Sequence, residues 1–284
     1  MREVRLLQRI ESVAQQEAKV GFIIQTQSLT KRFGNFTAVD ELTISIEAGD
    51  IFGLVGPNGA GKTTVIKMLT TLLPPTAGNA SIDGNSITHE AAKVRRVIGY
   101  VPQLLSADGA LTGYENLLIF SKLYDIPRRE RKQRISEVLD FMGLSDFSDK
   151  LVRTYSGGMI RRLEIAQAML HRPKVLFLDE PTVGLDPVAR KAVWQHIQQL
   201  RNDYRTTIFL TTHYMDEADQ LCGRLAIMHL GKVAAIGSPS ELKSSVGDTA
   251  TLDDAFAHYS GAEVDSVGGY RETSRVRRTA RRVG

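Results

Sequence analysis

Short apolar runs recur along this chain, with stretches of helical spacing between them. The first stretch, about twenty residues long, places Leu6, Ile10, Val13 and Glu17 at helical intervals, with Leu7 and Ala14 alongside. It predicts a short amphipathic helix or a leader that frays. The folded body starts near Ile23. Phe33-Gly34-Asn35-Phe36 reads as a turn between strands, and alternation continues through Leu42, Ile44 and Ile46. Ile51–Val55 is an apolar strand. A helix begins near Lys62 and runs through Val65 to Leu73, where Pro74-Pro75 stops it. Ala80–Asp83 with Gly84 predicts a strand and turn, and Val97–Val101 another strand, closed by Pro102.

From Leu104 to about His171 the pattern is helical throughout. Thr112 caps a helix carrying Leu117, Leu118, Phe120 and Leu123, and Pro127 starts a second that runs to Met142-Gly143. Strands then return at Val175–Leu178, Thr207–Thr211, Leu225–Met228 and Val233–Ile236, separated by helices over Pro187–Leu200 and Tyr214–Leu221 and a tight turn at Gly231-Lys232. Strands alternating with helices predict an α/β fold with a mainly parallel sheet covered on both faces. The reading divides the chain into an N-terminal extension (1–22), an α/β domain (23–245) with a helical subdomain inserted over 104–171, and a C-terminal extension (246–284).

Composition changes this picture little. The 284 residues can bury a large core. No apolar run approaches the ~18 residues of a membrane span, and no secretory pattern opens the chain. A lone cysteine, Cys222, excludes an internal disulfide and fits a reducing compartment, so the expectation is a soluble, cytoplasmic protein. The net charge of +4 is uneven, because residues 271–284 hold six arginines against one glutamate. This tail reads as a solvated segment or a contact for an anionic membrane surface. Nothing else resembles a nucleic-acid module, so no nucleic-acid partner is expected.

The candidate chemistry begins after the Ile51–Val55 strand. Gly56-Pro57-Asn58-Gly59-Ala60-Gly61-Lys62-Thr63-Thr64 matches G-x-x-x-x-G-K-[ST], a phosphate-binding loop with a strand entering and a helix leaving. Glycines let successive N–H groups face phosphate oxygens, and the helix start adds its positive end. Lys62 is expected on the β- and γ-phosphates and the Thr63 hydroxyl on Mg²⁺. Downstream, Val175–Leu178 delivers Asp179 and Glu180. Asp179 is placed to hold the hydrated Mg²⁺ opposite Thr63, and Glu180 to polarise an attacking water. In Tyr155-Ser156-Gly157-Gly158-Met159, Ser156 caps a helix and two glycines bare backbone N–H groups, a second anion site or an ordinary capped helix.

With these motifs in order, the chain resembles the ATP-binding subunit of an ABC transporter, which implies a P-loop NTPase core with an antiparallel β subdomain and the helical insertion. In that family an L-S-G-G-Q loop closes over nucleotide held by the opposite subunit. Here Tyr155 and Met159 depart at the flanks, while Ser156-Gly157-Gly158 is intact. The resemblance assigns Gln103 to sensing Mg²⁺ and γ-phosphate, Asp186 of Gly184-Leu185-Asp186-Pro187 to contact across a dimer, and His213 to the γ-phosphate. Asp186 also reads as a plain helix cap. Phe33, with Phe36 as the alternative, resembles the ring that stacks on adenine.

The same resemblance implies ATP and Mg²⁺ as cofactors, and a second ATP-binding subunit and a membrane-spanning permease subunit as partners, with the chain peripheral on the inner face of the membrane. DNA-maintenance relatives insert a long coiled coil, whereas only about ninety residues without heptads separate the two loops here. Ribosome-acting relatives usually carry two ATP-binding units. Tyr155–Ala166, Glu180–Pro187 and Leu252-Asp253-Asp254-Ala255-Phe256 are similar to the daunorubicin-resistance type, which powers ABC-2 exporters. Only about seventy residues follow His213, fewer than a regulatory domain of usual size needs. Export is therefore the expectation, and an importer subunit is the alternative.

Overall fold

In the computed structural model, which describes residues 21–261, two sheets share the work of burial. The first is antiparallel. The long strand β1 (Phe22–Phe33) pairs with β2 (Phe36–Leu42), β3 (Ser45–Glu47) and β5 (Ala77–Ile82), and β6 (Asn85–Ser86) extends it. The second follows the order β11-β10-β4-β9-β8-β7, built from β4 (Ile51–Val55), β7 (Ile98–Val101), β8 (Val175–Asp179), β9 (Thr207–Thr212), β10 (Arg224–His229) and β11 (Lys232–Gly237). Its five strands from β10 to β7 run parallel, and only β11 is antiparallel, at the edge. Strands β4, β8 and β9 are buried at every position, so Ile51–Val55, Val175–Leu178 and Ile208–Leu210 read as apolar runs rather than alternations.

Each face of the parallel sheet meets its own core. Phe52, Phe177 and Phe209 project to one side with Val65, Met68 and Leu69 of the Lys62–Leu69 helix and with the antiparallel sheet. The phenyl rings stand 5.5 and 5.8 Å apart in tilted pairs, each burying apolar area worth roughly 1.5–3 kcal/mol. The opposite face packs Leu176, Leu178, Ile208 and Leu210 against the helices Gly157–Met169 and Pro187–Tyr204 and the helical subdomain. The expected α/β class, parallel sheet, antiparallel subdomain and helical insertion are all present.

Boundaries differ where local geometry overrides pattern. The helix after the phosphate loop stops at Leu69 rather than Leu73. Thr71 turns to φ +63°, and the N–H groups of Leu72 and Leu73 both return to the Lys67 carbonyl. Val97 ends a helix, Ala91–Val97, whose single buried residue, Val94, leaves no periodic signal. The insertion is not helical throughout. Residues 102–111 are irregular, and helices over Gly113–Leu123 and Arg128–Phe141 are followed by two single 3₁₀ turns. The compact body also continues past residue 245. The Leu252–Ser260 helix buries Leu252, Ala255 and Phe256 in the larger core. The amphipathic pattern over 1–20 and the basic tail 271–284 lie outside the described residues.

Candidate active site

Parallel pairing in the order β4-β9-β8-β7 puts four strand C-termini side by side, where an open α/β sheet forms its crevice. Each delivers a predicted group: Gly56–Thr64 after β4, His213 after β9, Asp179 and Glu180 at the end of β8, and Gln103 after β7. Sequence positions more than a hundred residues apart become neighbours this way.

The phosphate loop is shaped by close approaches that only glycine permits. Gly61 sits at φ +110°, and a Cβ there would stand 2.4 Å from the Ala38 carbonyl oxygen. Behind it, Ala60 accepts a hydrogen bond from Gly231 N–H (3.0 Å), so the β10–β11 turn backs the loop. Gly59, at φ +85°, faces open space. Lys62 is 4% exposed and donates to the carbonyls of Gly56 (2.8 Å) and Pro57 (3.1 Å), which curls the loop around the ammonium. Its Nζ is also 3.2 Å from Glu180 Oε1. Pro57, Asn58 and Thr64 complete the loop between them. A cradle with open space above Gly59, a cation at its floor and a helix start behind it fits a polyphosphate.

Asp179 and Glu180 are separated by their environments. Asp179 Oδ1 accepts from Thr211 Oγ1 (2.6 Å) and from Thr63 Oγ1 (3.2 Å), which brings hydroxyl and carboxylate together. Two hard oxygen donors beside a phosphate cradle suit Mg²⁺, which takes one or two protein ligands and completes its shell from phosphate and water. Glu180 adopts φ +49°, a conformation that costs a non-glycine residue about 1–3 kcal/mol. Its N–H is held by Thr211 through the carbonyl and the hydroxyl, both at 3.1 Å. Its carboxylate takes Gln103 Nε2 at 3.0 Å and lies 3.4 Å from His213 Nδ1. Gln103, Glu180, His213 and Lys62 thus form one cluster. Nearby, burial first and the charge of Asp179 second push the Tyr100 phenol up to about 12.

The other predicted residues lie apart from this cluster. Ser156 Oγ caps its helix by accepting from Met159 N–H (3.3 Å), with Ser156 and Gly157 exposed. Gly158 is a contact residue, since a Cβ there would stand 2.8 Å from Ala189 Cβ. Asp186 Oδ1 caps the following helix through Val188 and Ala189 N–H, both at 2.9 Å. Tyr155 needs correction as a nucleotide contact. Its side chain is buried in the core and its hydroxyl donates to the Phe147 carbonyl (2.6 Å), leaving only its backbone near the helix start. Phe33 ends β1 with its ring about half exposed and Lys31 Nζ 5.2 Å from the ring centre, while Phe36, its partner across the hairpin, is more exposed.

Sequence reasoning missed a buried polar strip on the Gly157–Met169 helix. Arg161, 2% exposed, donates to the carbonyls of Pro102 (2.8 Å) and Gln103 (2.9 Å) and pairs with Glu164 at 3.0 Å. Glu164 in turn accepts from the backbone N–H and the hydroxyl of Ser106. One turn on, Gln167 donates to Asn116, which clasps the Asp108 backbone. Burial pulls the Arg161 guanidinium below its usual range, opposed by the charges of Glu164, Asp179 and Glu217. The i, i+3, i+6 spacing on a helix otherwise apolar on that face was the available signal.

This is the layout of a P-loop nucleoside triphosphatase. More narrowly, the chain belongs to the ABC transporter ATP-binding family, whose "ABC transporter" model matches residues 39–183. It is 47% identical over 224 residues to the daunorubicin/doxorubicin resistance ATP-binding protein DrrA of Streptomyces peucetius, covering 79% of this chain and 68% of that one. It is 42% identical over 220 residues to a Nod factor export ATP-binding protein I of Ralstonia nicotianae, covering 78% and 68% respectively. Among solved structures it resembles a dimeric ATP-binding cassette in a post-hydrolysis state bound to ADP and Pi, with TM-score 0.68 and 27% identity over 76% of this chain and 98% of that one. The chain is an ATP-binding, ATP-hydrolysing subunit of an ABC transporter.

Proposed function

We propose that this ATPase powers export through a separate membrane-spanning subunit, and that it works as a pair of ATP-binding subunits. The observation that carries the pairing is the position of Ser156-Gly157-Gly158. No hydrogen bond or ion pair among the described residues joins it to Gly56–Thr64; Leu185 and Ala189 are its neighbours instead. An exposed helix start with a bare glycine is then free for phosphate on a second copy, and Val188, 79% exposed beside the Asp186 cap, offers apolar area to the same contact. Leu104 (82% exposed) and Leu105 (56%) follow Gln103 directly and supply an apolar landing for a membrane partner. Among the described residues no helix is long and apolar enough to cross a membrane, so cargo passage falls to that partner. The resistance and export proteins to which the chain is similar favour outward transport. Such a pair sits on the cytoplasmic face of the membrane, where the basic tail 271–284 can meet anionic lipid.

In this reading ATP with Mg²⁺ supplies the cleavable phosphoanhydride, and the chain does the rest by position. The loop N–H groups and Lys62 hold the β- and γ-phosphates, and Phe33 stacks on adenine. Thr63 and Asp179 would hold Mg²⁺, with Gln103 as a further candidate ligand, and the ion would offset charge on the phosphates. Glu180 takes the proton from the attacking water, aimed by Gln103, while His213 steadies the departing γ-phosphate. Ser156-Gly157-Gly158 and Asp186 of the second subunit close the site, and hydrolysis removes the bridge that held the two together.

The test is Glu180→Gln. With ATP and Mg²⁺ the variant is expected to bind nucleotide, lose at least 99% of turnover, about 3 kcal/mol of barrier, and elute as a dimer by light scattering. A variant that stays monomeric with bound ATP, alone and with its co-purified membrane partner, refutes the paired arrangement. Purifying the tagged chain with its membrane and identifying the polypeptide retained checks the partner.

A further inference from the structure

The most deeply buried carboxylate in the described chain belongs to none of the motifs. Glu217 sits in the Met215–Leu221 helix with no exposed surface. Its Oε1 accepts two hydrogen bonds, from Thr182 Oγ1 (2.8 Å) and from Trp194 Nε1 (2.8 Å). These two donors come from different parts of the site. Thr182, also fully buried, is two residues past Glu180, and its carbonyl accepts from Leu185 N–H (3.2 Å) as the chain turns toward Asp186. Trp194 is on the helix that Asp186 caps. Glu217 itself is four residues after His213. One oxygen therefore ties together the turn that leaves Glu180, the Asp186-capped helix and the helix that follows His213.

A second contact follows the same route. Arg190, one turn into the Asp186-capped helix, lies 4.3 Å from the Tyr214 ring centre, and Tyr214 rests 4.2 Å from the His213 ring. A core staple with no bearing on chemistry would be better served by apolar side chains, because a buried carboxylate is costly and weakly stabilising. What a carboxylate adds is direction: two donors meeting at one oxygen fix the spacing of three segments.

We propose that Glu217 is a positioning residue, which through Thr182 holds the backbone leaving Glu180 in register with the segment carrying His213, so that the two catalytic side chains move together. The inference rests on the proposed roles of Glu180 and His213. Trp194, the only tryptophan in the chain, reports on this junction, since its indole N–H is one of the two bonds.

The experiment uses the full chain and compares Thr182→Val, Thr182→Ser and Glu217→Gln with the parent. ATP turnover, KM for ATP and Trp194 emission with and without ATP and Mg²⁺ are measured. Val keeps the shape of Thr but loses the donor, so kcat is expected to fall about tenfold with KM within about twofold, the pattern of a lost transition-state arrangement. A change in Trp194 emission on adding ATP and Mg²⁺ is expected in the parent and is expected to be lost in Thr182→Val. Thr182→Ser restores the hydroxyl, and Glu217→Gln keeps an acceptor oxygen; both are expected to retain turnover within about threefold. Thr182→Val at parental kcat overturns the proposal, as does Thr182→Ser as slow as Thr182→Val, or a parent whose Trp194 emission ignores nucleotide. A Glu180→Gln variant that still hydrolyses ATP overturns the underlying site reading instead, which separates the two failures.

Discussion

Replacing Arg161 by methionine isolates the largest unanticipated feature of the molecule. The guanidinium is almost wholly buried and serves three acceptors: the Pro102 and Gln103 carbonyls and Glu164. Methionine fills much of the same volume but leaves all three unserved. Breaking a buried pair by removing one partner costs about 3–5 kcal/mol, and the two part-buried carbonyls left bare add at most roughly 1–3 kcal/mol each, since water can reach that segment. The sum is an upper bound, because the irregular 102–106 segment can shift. A loss of about 4 kcal/mol is therefore expected, against a typical total of roughly 5–15 kcal/mol, so the variant folds with a thin margin. Denaturant unfolding followed by circular dichroism measures it.

The double variant Arg161→Met/Glu164→Met removes both charges together and is expected to recover about 1–3 kcal/mol of the single-variant loss. Function should suffer beyond stability, because Arg161 pins the backbone of Gln103 while the Gln103 amide holds Glu180 at 3.0 Å. At temperatures where Arg161→Met is folded, kcat should fall with KM for ATP little changed. A stability loss under about 1 kcal/mol with parental kcat would refute the reasoning, since it would mean that the buried guanidinium holds nothing in place.

Lys62→Ala is expected to keep its fold and lose ATP binding by at least tenfold in nucleotide titration, because it removes the only cation at the floor of the loop among the described residues; near-parental turnover would refute the loop's assignment. Gly61→Ala should abolish nucleotide binding, since its Cβ would stand 2.4 Å from the Ala38 carbonyl oxygen, whereas Gly59→Ala meets only the backbone cost of about 1–2 kcal/mol; equal affinities for the two would contradict this account of the loop. Deleting residues 271–284 should leave ATP turnover in detergent within about twofold and weaken binding to anionic but not neutral vesicles, an effect that salt erases. A large loss of turnover without lipid would place the tail on the catalytic body.

The legible part of the site is the part whose chemistry is local. Gly56–Thr64 announces itself because the loop needs glycine and lysine at fixed spacing, and Asp179-Glu180 because a short apolar run closing on two adjacent carboxylates is conspicuous. Their meeting in space followed from the parallel order alone. Arg161 and Glu164 stayed hidden because an Arg-Arg-Leu-Glu run on a helix looks like a solvated face; its partners are backbone carbonyls some sixty residues away, which carry no sequence signal. Tyr155 adjoins the Ser156-Gly157-Gly158 motif in sequence, but its ring belongs to the core, a placement that adjacency does not reveal. The C-terminal helices offered clearer signs that periodicity overlooked. Ser238 with Glu241 and Thr251 with Asp254 form full capping boxes, and Pro239 stands at a helix start.

The two halves of the site differ in how they are held. Lys62, Asp179, Glu180 and His213 are fixed by the ends of three mutually hydrogen-bonded strands, with Glu180 clamped twice by Thr211. Gln103 is attached differently. Its strand, β7, is at the sheet edge, the chain beyond it is irregular, and its backbone answers to Arg161 on the helix that begins at Ser156-Gly157-Gly158. A displacement of the Gln103 backbone would therefore be passed through a buried guanidinium to the helix that begins at the Ser156 loop. The sheet, by contrast, gives way only at the cost of its own pairing. Arg161 stands where the irregular segment after β7 meets the helix that begins at Ser156-Gly157-Gly158.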